Sequence, residues 1–365
     1  PAMLLCYWCF GYGAWLCLAL MLAAGIIAHH QKLSALLAAG ILLLPATQYP
    51  ATTWWSKPDL DREYVLSLDV EHYFGNIQKM RKHLETDRQI LWVTYYRNLY
   101  NATHPSEINS PVSLSRNLLA WNQPGTNGLI LPVNPSASFL SILFANELWF
   151  TLGDMTMAEH CAMLSMIFSP RNSGSRMIKR LAEINLVNGD DEAALKYLRI
   201  LDKTLLHKSW AEKRIPGQQT PRVKEWLEKK RRDIPTQDQL RSGNDAVTSL
   251  RNLVASNAGN LRAYEYLLCY HLLSKDLRSF VEDYVPGKVS SPIFAEALLI
   301  YLARQGNIRA EELIKYQIPV EIAKEFADYT RIYEAKDTSL KEKYGKTYWF
   351  YYHFATTEPG KESKP

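Results

Sequence analysis

The chain has 365 residues, of which 22% are charged and 12% aromatic, a composition that excludes a wholly disordered linker. A formal charge of +5 is too small to point to nucleic acid by itself. The five cysteines make no disulfide framework, because Cys6, Cys9 and Cys17 crowd one apolar run and only Cys161 and Cys269 lie beyond it.

Residues 1–28 contain no Asp, Glu, Lys or Arg, and Lys32 is the only formal charge before Lys57. The run from Leu4 to Ala28 is long enough to cross a bilayer, for which about 20 apolar residues suffice. A second run, Leu33 to Trp55, opens with LSALLAAGILLL and closes with TQYPATTWW. Pro45 and Pro50 end or kink its helix, and Trp54 and Trp55 suit the headgroup level. With the polar turn AHHQK between the runs, residues 1–56 are expected to form a transmembrane helical hairpin. A cleaved signal peptide fits less well, since no basic residues precede the first run and a second run follows directly. Pro1 in place of Met leads us to expect that the hairpin closes a longer, multi-pass membrane region. Lys32 with His29 and His30 weakly places the turn in the cytoplasm and residues 57–365 outside it, on a bacterial inner membrane. Cys6-Tyr7-Trp8-Cys9 leaves open a membrane thiol oxidoreductase, because residues i and i+3 share a helix face.

After Pro58 the pattern is helical and no period-2 strand run is found. Asp61–Phe74 and Asn76–Glu85 form a first pair broken at Gly75-Asn76, and Asp87–Asn101 follows with Trp92, Tyr95, Tyr96 and Tyr100. Between His104 and Pro135 prolines stand at 105, 111, 124, 132 and 135, with one helix-like piece at Ser113–Trp121. So long a loop is either functional or a strap, and Leu129, Ile130 and Leu131 favour a strap. Residues 57–135 are therefore expected to be a helical region with a proline-rich loop.

The stretch LGDMTMAEHCAMLSMIFSP, 152–170, poses a choice between chemistry and spacing. Glu159, His160 and Cys161 point about 100° apart on a helix and cannot share one ion. No H-E-x-x-H, G-x-G-x-x-G, G-x-S-x-G or S-x-x-K occurs, and Gly345-Lys346-Thr347 lacks the phosphate loop's other glycine, with Leu340 in its place. We assign no catalytic, metal-binding or cofactor-binding residue and expect no cofactor. Spacing explains the stretch better. Gly153, Ala158, Ser165 and Pro170 stand at fixed intervals, with Trp149 in the helix before. A second phrase follows in Leu181-Ala182, Asn188-Gly189-Asp190-Asp191, Ala194, Tyr197, Leu198 and Leu201. The turn needs φ > 0, which glycine supplies, and helices cross closely only over small side chains.

These intervals resemble the tetratricopeptide-type helical repeat. The resemblance implies an all-α protein in which a TPR-like α-solenoid of antiparallel helix pairs, over 136–354, follows the membrane hairpin. Gly153, Ala158, Pro170, Gly189 and Ala194 are then its turn and crossing residues. In this family the first helix of each pair lines a groove, which here nominates Asn146, Trp149, Ile178 and Asn185 for a protein or peptide partner. Replacing Asn146 and Asn185 with Ala should then weaken partner capture and leave folding intact. Later pairs are looser: 262–273 with 277–284, 292–303 with 309–316, then 320–335. The whole chain is also similar to a family of uncharacterised bacterial membrane proteins with N-terminal spans and a helical C-terminal half.

An insertion, His207–Arg241, interrupts the repeats. Its RVKEWLEKKRR carries Arg222, Lys224, Lys229, Lys230, Arg231 and Arg232 around a stripe of Val223, Trp226 and Leu227. The bland reading is a solvated helix docked by Trp226. The alternative is contact with an anionic membrane or acidic partner, each basic residue near the surface adding about 1 kcal/mol. No aromatic-interleaved basic surface is evident, so nucleic acid is not expected. Tyr348, Trp349, Tyr351, Tyr352 and Phe354 are expected to cover the last helix pair, with a flexible tail over 355–365. The functional expectation is a membrane-anchored protein–protein interaction scaffold, more plausibly not an enzyme. The alternative is an accessory domain of a polytopic membrane enzyme or transporter whose active part lies upstream.

Overall fold

The structure is a computed structural model and describes residues 57–85, 88, 90–104, 114–121, 125–133, 139–168, 174–236 and 245–355. The expected hairpin over 1–56 with Cys6 and Cys9, Pro170, and the tail after 355 lie outside the described residues. The chain divides into two compact units, Pro1–Val70 and Glu71–Pro365. The first is described only over 57–70, within α1, Lys57–Tyr73. Among the described residues there is no strand, and no helix is long and apolar enough to cross a membrane.

The second unit is all helix and turn. It begins with α2 (Ile77–Leu84) and α3 (Leu91–Thr103), then a 3-10 turn (Ser115–Asn117) leading into α4 (Leu118–Trp121). The run α5 (Phe139–Leu152), α6 (Met155–Phe168), α7 (Ser175–Asn188), α8 (Asp191–Asp202) and α9 (Lys208–Glu212) packs in chain order, each helix on the next. Helix α10 (Pro221–Arg231) then turns back onto α7. A second sequential run comprises α11 (Ala246–Ser256), α12 (Leu261–Leu273), α13 (Leu277–Asp283) and α14 (Pro292–Arg304). After α15 (Ala310–Lys315), the chain stops advancing. Helices α16 (Val320–Glu334) and α18 (Tyr348–Phe354) both pack on α14, bridged by α17 (Leu340–Tyr344).

The pair turns share one local chemistry. Gly153, Gly189 and Lys275 take φ of +91°, +83° and +60°, and each is followed by an aspartate that caps the next helix. Asp154 accepts from the Met157 N–H at 2.8 Å, Asp190 from Ala193 at 2.9 Å and Asp276 from Ser279 at 3.0 Å. Such caps contribute about 1 kcal/mol each. The lysine version works because Lys275 Nζ is itself held by the Tyr352 carbonyl at 2.7 Å and by that of Ala355. Helices α9, α11 and α17 were not read from the sequence. Two of them have five residues, too few to show a helical period.

Aromatic side chains close both ends of this unit. Tyr95 on α3 donates to the Phe144 carbonyl at 2.6 Å, and Trp92 and Tyr96 meet the Phe144 ring edge-on at 5.9 and 5.4 Å. At the other end Trp349 is buried, with its indole N–H on the Glu296 carbonyl at 3.0 Å. Tyr348 and Tyr351 donate to the Leu272 and Leu273 carbonyls at 2.9 and 2.8 Å. The tail is thus a cover over α12 and α14. Within the proline-rich segment, residues 125–133 form a packed strap: Leu129, Ile130, Leu131 and Val133 are buried, and Asn98 of α3 donates to the Gly128 carbonyl at 2.8 Å.

Candidate interaction surface

The four residues nominated for a groove do not share an open surface. Asn146 is wholly buried, and its amide donates to the Ala158 carbonyl at 2.6 Å within the same pair. Trp149 is buried and borders a cavity of about 210 Å³ roofed by the strap residues Ile130, Leu131, Pro132 and Val133. Ile178 packs on a cluster of Ala182, Leu198, Leu201 and Ala211, so it faces α8 and α9. Asn185 is half-buried and bonds back to the Leu181 carbonyl of its own helix at 2.7 Å. The expectation of a free groove along these first helices is corrected. Strap and insertion cover positions that repeat spacing alone would leave open.

The spacing residues sit where close crossing needs them. Ala158 and Ala194 are fully buried. Gly189 marks the end of α7, and a Cβ there would meet nothing within 4 Å. At Gly153 a Cβ would lie 2.2 Å from the Asp233 carbonyl oxygen. That glycine therefore serves a turn and also a close backbone approach from the far end of α10.

Helix α10 is docked in the manner its apolar stripe foretold. Val223 and Leu227 are buried, and Trp226 stacks on Phe150 of α5 at 6.2 Å. Its basic residues divide in two. Arg231 donates to the Leu186 and Val187 carbonyls at 2.7 and 3.0 Å, closing the C-terminal end of α7. Lys230 lies over the Phe150 ring at 4.6 Å, and burial, with Arg180 and Arg262 nearby, pushes its ammonium down to about 8. Both face the fold. Arg222, Lys224, Lys229 and Arg232 are exposed.

Polar side chains converge most densely around Glu147, a residue absent from the sequence expectations. It is buried on α5 and paired with Arg180 at 2.6 Å and Arg176 at 2.8 Å, with His72 at 3.6 Å. Burial alone would raise its carboxyl, but Arg180 and Arg176 outweigh that and hold it well below the usual range. From there cations and rings alternate: Arg176 and Lys179 lie over Tyr73 at 4.8 and 4.6 Å, and Lys179 and Arg214 over Trp210 at 4.8 and 4.0 Å. The i, i+3, i+4 spacing of Arg176, Lys179 and Arg180 put them on one helix face; their anionic partner, 29 to 33 residues earlier, carried no local signal. The network clamps α7 to α5 and offers no acid–base couple around an open site.

Cys161 and Cys269 are buried thiols outside any disulfide, and burial pushes the Cys269 thiol up, as for an inert core group. No group of three or more His, Cys, Asp or Glu among the described residues could hold a metal ion. An apolar cluster is also exposed: on α6, Met163, Ile167 and Phe168 are 45%, 62% and 49% exposed, and Met163 and Ile167 adjoin at i and i+4.

No curated protein and no solved structure matches the chain. A model of a protein family of unknown function does match, over residues 33–355, which takes in the second apolar run and everything described here. The chain with its paired helices, strap and aromatic cover belongs to that family, DUF6057.

Proposed function

We propose that this protein is a membrane-anchored scaffold of a bacterial inner membrane that holds a protein partner on its helical pairs. The anchor rests on residues 4–28 and 33–55, two apolar runs without a formal charge, separated by Lys32. The repeat character, of tetratricopeptide type over α5–α8, rests on the glycine–aspartate turns and the buried alanines at the crossings. The observation that carries partner binding is the apolar ridge Met163, Ile167 and Phe168 on α6. Scattered apolar residues on a surface need no explanation. Met163 and Ile167 adjoin on one helix face, with Phe168 beside them at the helix end, and such a cluster on a regular pair is what a partner's apolar surface covers.

The experiment is co-purification of the full chain from its native membranes, with proteins identified by mass spectrometry, for wild type and for Ile167→Glu with Met163→Glu. The double variant is expected to keep its thermal transition and lose a partner that wild type retains. Identical co-purifying proteins in both samples would remove the ridge from the proposal. Asn146→Ala is no longer a clean test of binding, since it deletes a buried hydrogen bond between α5 and α6.

A further inference from the structure

The turn between α8 and α9 carries two adjacent leucines in water. Leu205 and Leu206 are 97% and 85% exposed, and Ile200 one turn earlier is half exposed. Turns are ordinarily built from Gly, Pro, Asn, Asp and Ser. This one reads Lys203-Thr204-Leu205-Leu206-His207-Lys208. Its backbone is fixed on both sides of the leucines. Thr204 N–H and Oγ1 donate to the Leu201 carbonyl at 2.9 and 2.7 Å. On the far side His207 N–H donates to Thr204 Oγ1 at 3.2 Å and Lys208 N–H to the Thr204 carbonyl at 3.2 Å. The leucines are held out by a closed turn, with no fold contact to gain.

Charge gathers at the same place. Residues 202–222 contain five basic and two acidic residues, an excess of three. Lys203 and Lys208 flank the leucines and are exposed, and the Lys208–Glu212 pair at 4.0 Å is open to water and weak. Beyond α9 the Thr220 N–H donates to the Lys213 carbonyl at 3.3 Å, so exposed Lys213 and Arg222 extend the basic tract. A nucleic acid would need free rings for its bases. Trp210, the aromatic of this turn, already has Lys179 and Arg214 on its ring. An apolar tip ringed by lysines instead matches the boundary of an anionic bilayer, where hydrocarbon lies just beneath a layer of phosphates.

We propose that the Leu205-Leu206 turn enters the headgroup layer of an anionic membrane, with Lys203 and Lys208 on lipid phosphates. The inference rests on the membrane-anchored reading above, because an anchored chain keeps the turn near lipid, yet it has a readout of its own. The full chain carrying Leu205→Cys would be labelled with an environment-sensitive fluorophore. Cys6, Cys9 and Cys17 are changed to Ser, while Cys161 and Cys269 stay as buried thiols. It would be reconstituted in phosphatidylcholine vesicles with and without phosphatidylglycerol. With phosphatidylglycerol, the emission is expected to shift to the blue and be quenched by nitroxide-labelled lipid. Leu206→Ser should lower the ratio of lipid-buried to water-exposed probe by on the order of tenfold. Each of Lys203→Glu and Lys208→Glu should lower it by at least about fivefold. Water-like emission on phosphatidylglycerol vesicles overturns the proposal, and so does a blue shift that appears without lipid, which marks protein–protein contact. Flotation separates the two readings. A chain that floats with pure phosphatidylcholine while its probe stays in water keeps the anchor and loses the turn. A chain that floats only with phosphatidylglycerol, and only with both leucines, keeps the turn and loses the anchor.

Discussion

Gly153 and Gly189 occupy matching turns, yet their neighbours differ. Both have φ in the left-handed region, where a side chain costs about 1–2 kcal/mol. Gly189 has open space around its missing Cβ, so Gly189→Ala should cost only that much. Gly153→Ala must also push the Asp233 backbone away from a 2.2 Å contact. It should therefore be the more destabilising of the two by at least about 1 kcal/mol, read as the difference in urea midpoints. Equal midpoints would mean that the loop after α10 yields freely. Glu147 gives a second expectation. Removing it leaves Arg176 and Arg180 without their shared carboxylate, a loss of about 3–5 kcal/mol for a buried pair. Since its folded pKa lies below the unfolded one, its contribution is complete above about pH 4.5. It declines as the pH falls toward the folded value. Thermal melts of wild type should accordingly lose part of their advantage over Glu147→Ala between pH 5 and pH 3.

At the scale of elements, α18 is held to α14 partly through a buried acid whose neutral form its surroundings favour. The Tyr348 N–H donates to Glu296 Oε2 at 2.5 Å. Burial raises that carboxyl to about 7, the Tyr348 hydrogen bond only partly offsets it, and Glu325 adds to it. A raised acid stabilises the fold fully below its unfolded pKa near 4.5, and that contribution is lost as the pH climbs through 7. Glu296→Gln keeps an acceptor for Tyr348 without the charge. It should raise the melting temperature above pH 7 and leave it nearly unchanged below pH 4.5. The opposite order would show the ionised carboxylate to be the favoured cap. The elements also show what could be read in advance. Gly153-Asp154 and Gly189-Asp190 announced their turns because positive φ and helix capping are local demands. The third such turn showed only as a break between 262–273 and 277–284 without a glycine; what stayed hidden is that Lys275 takes the left-handed conformation and bonds to carbonyls nearly 80 residues away. Asn146 and Trp149 were assigned to the correct helix and the wrong environment. Asn146 is tied to Ala158 within the pair and Trp149 borders Ile130 and Val133 of the strap, and repeat spacing within α5 has no knowledge of the strap.

The second unit contains two sequential helix runs, and a polar knot around Asn260 helps to join them. Asn260, buried at the start of α12, donates to the Leu152 carbonyl at 2.7 Å and the Asp233 carbonyl at 2.8 Å, while its Oδ1 accepts from Ala263 at 3.0 Å. Arg262 adds bonds to the Thr151 and Ala102 carbonyls at 3.1 and 3.2 Å. The end of α5, the end of the insertion and the start of the second run thus meet on two side chains. Repeat arrays lose cooperativity where one neighbour contact is weak. Asn260→Ala deletes three hydrogen bonds at that junction, about 3 kcal/mol at roughly 1 kcal/mol each. If the knot couples the runs, the variant should unfold in urea in two steps, and each step should have a smaller dependence on denaturant than the single wild-type transition. Asn260→Asp should behave similarly, because a carboxylate can still cap α12 but cannot donate to Leu152 and Asp233. A single transition of unchanged steepness in both variants would show that the runs stay coupled without Asn260, through Arg262, Asn257 and apolar packing. The partner ridge on α6 and the leucine turn after α8 would then ride on a body that melts as one.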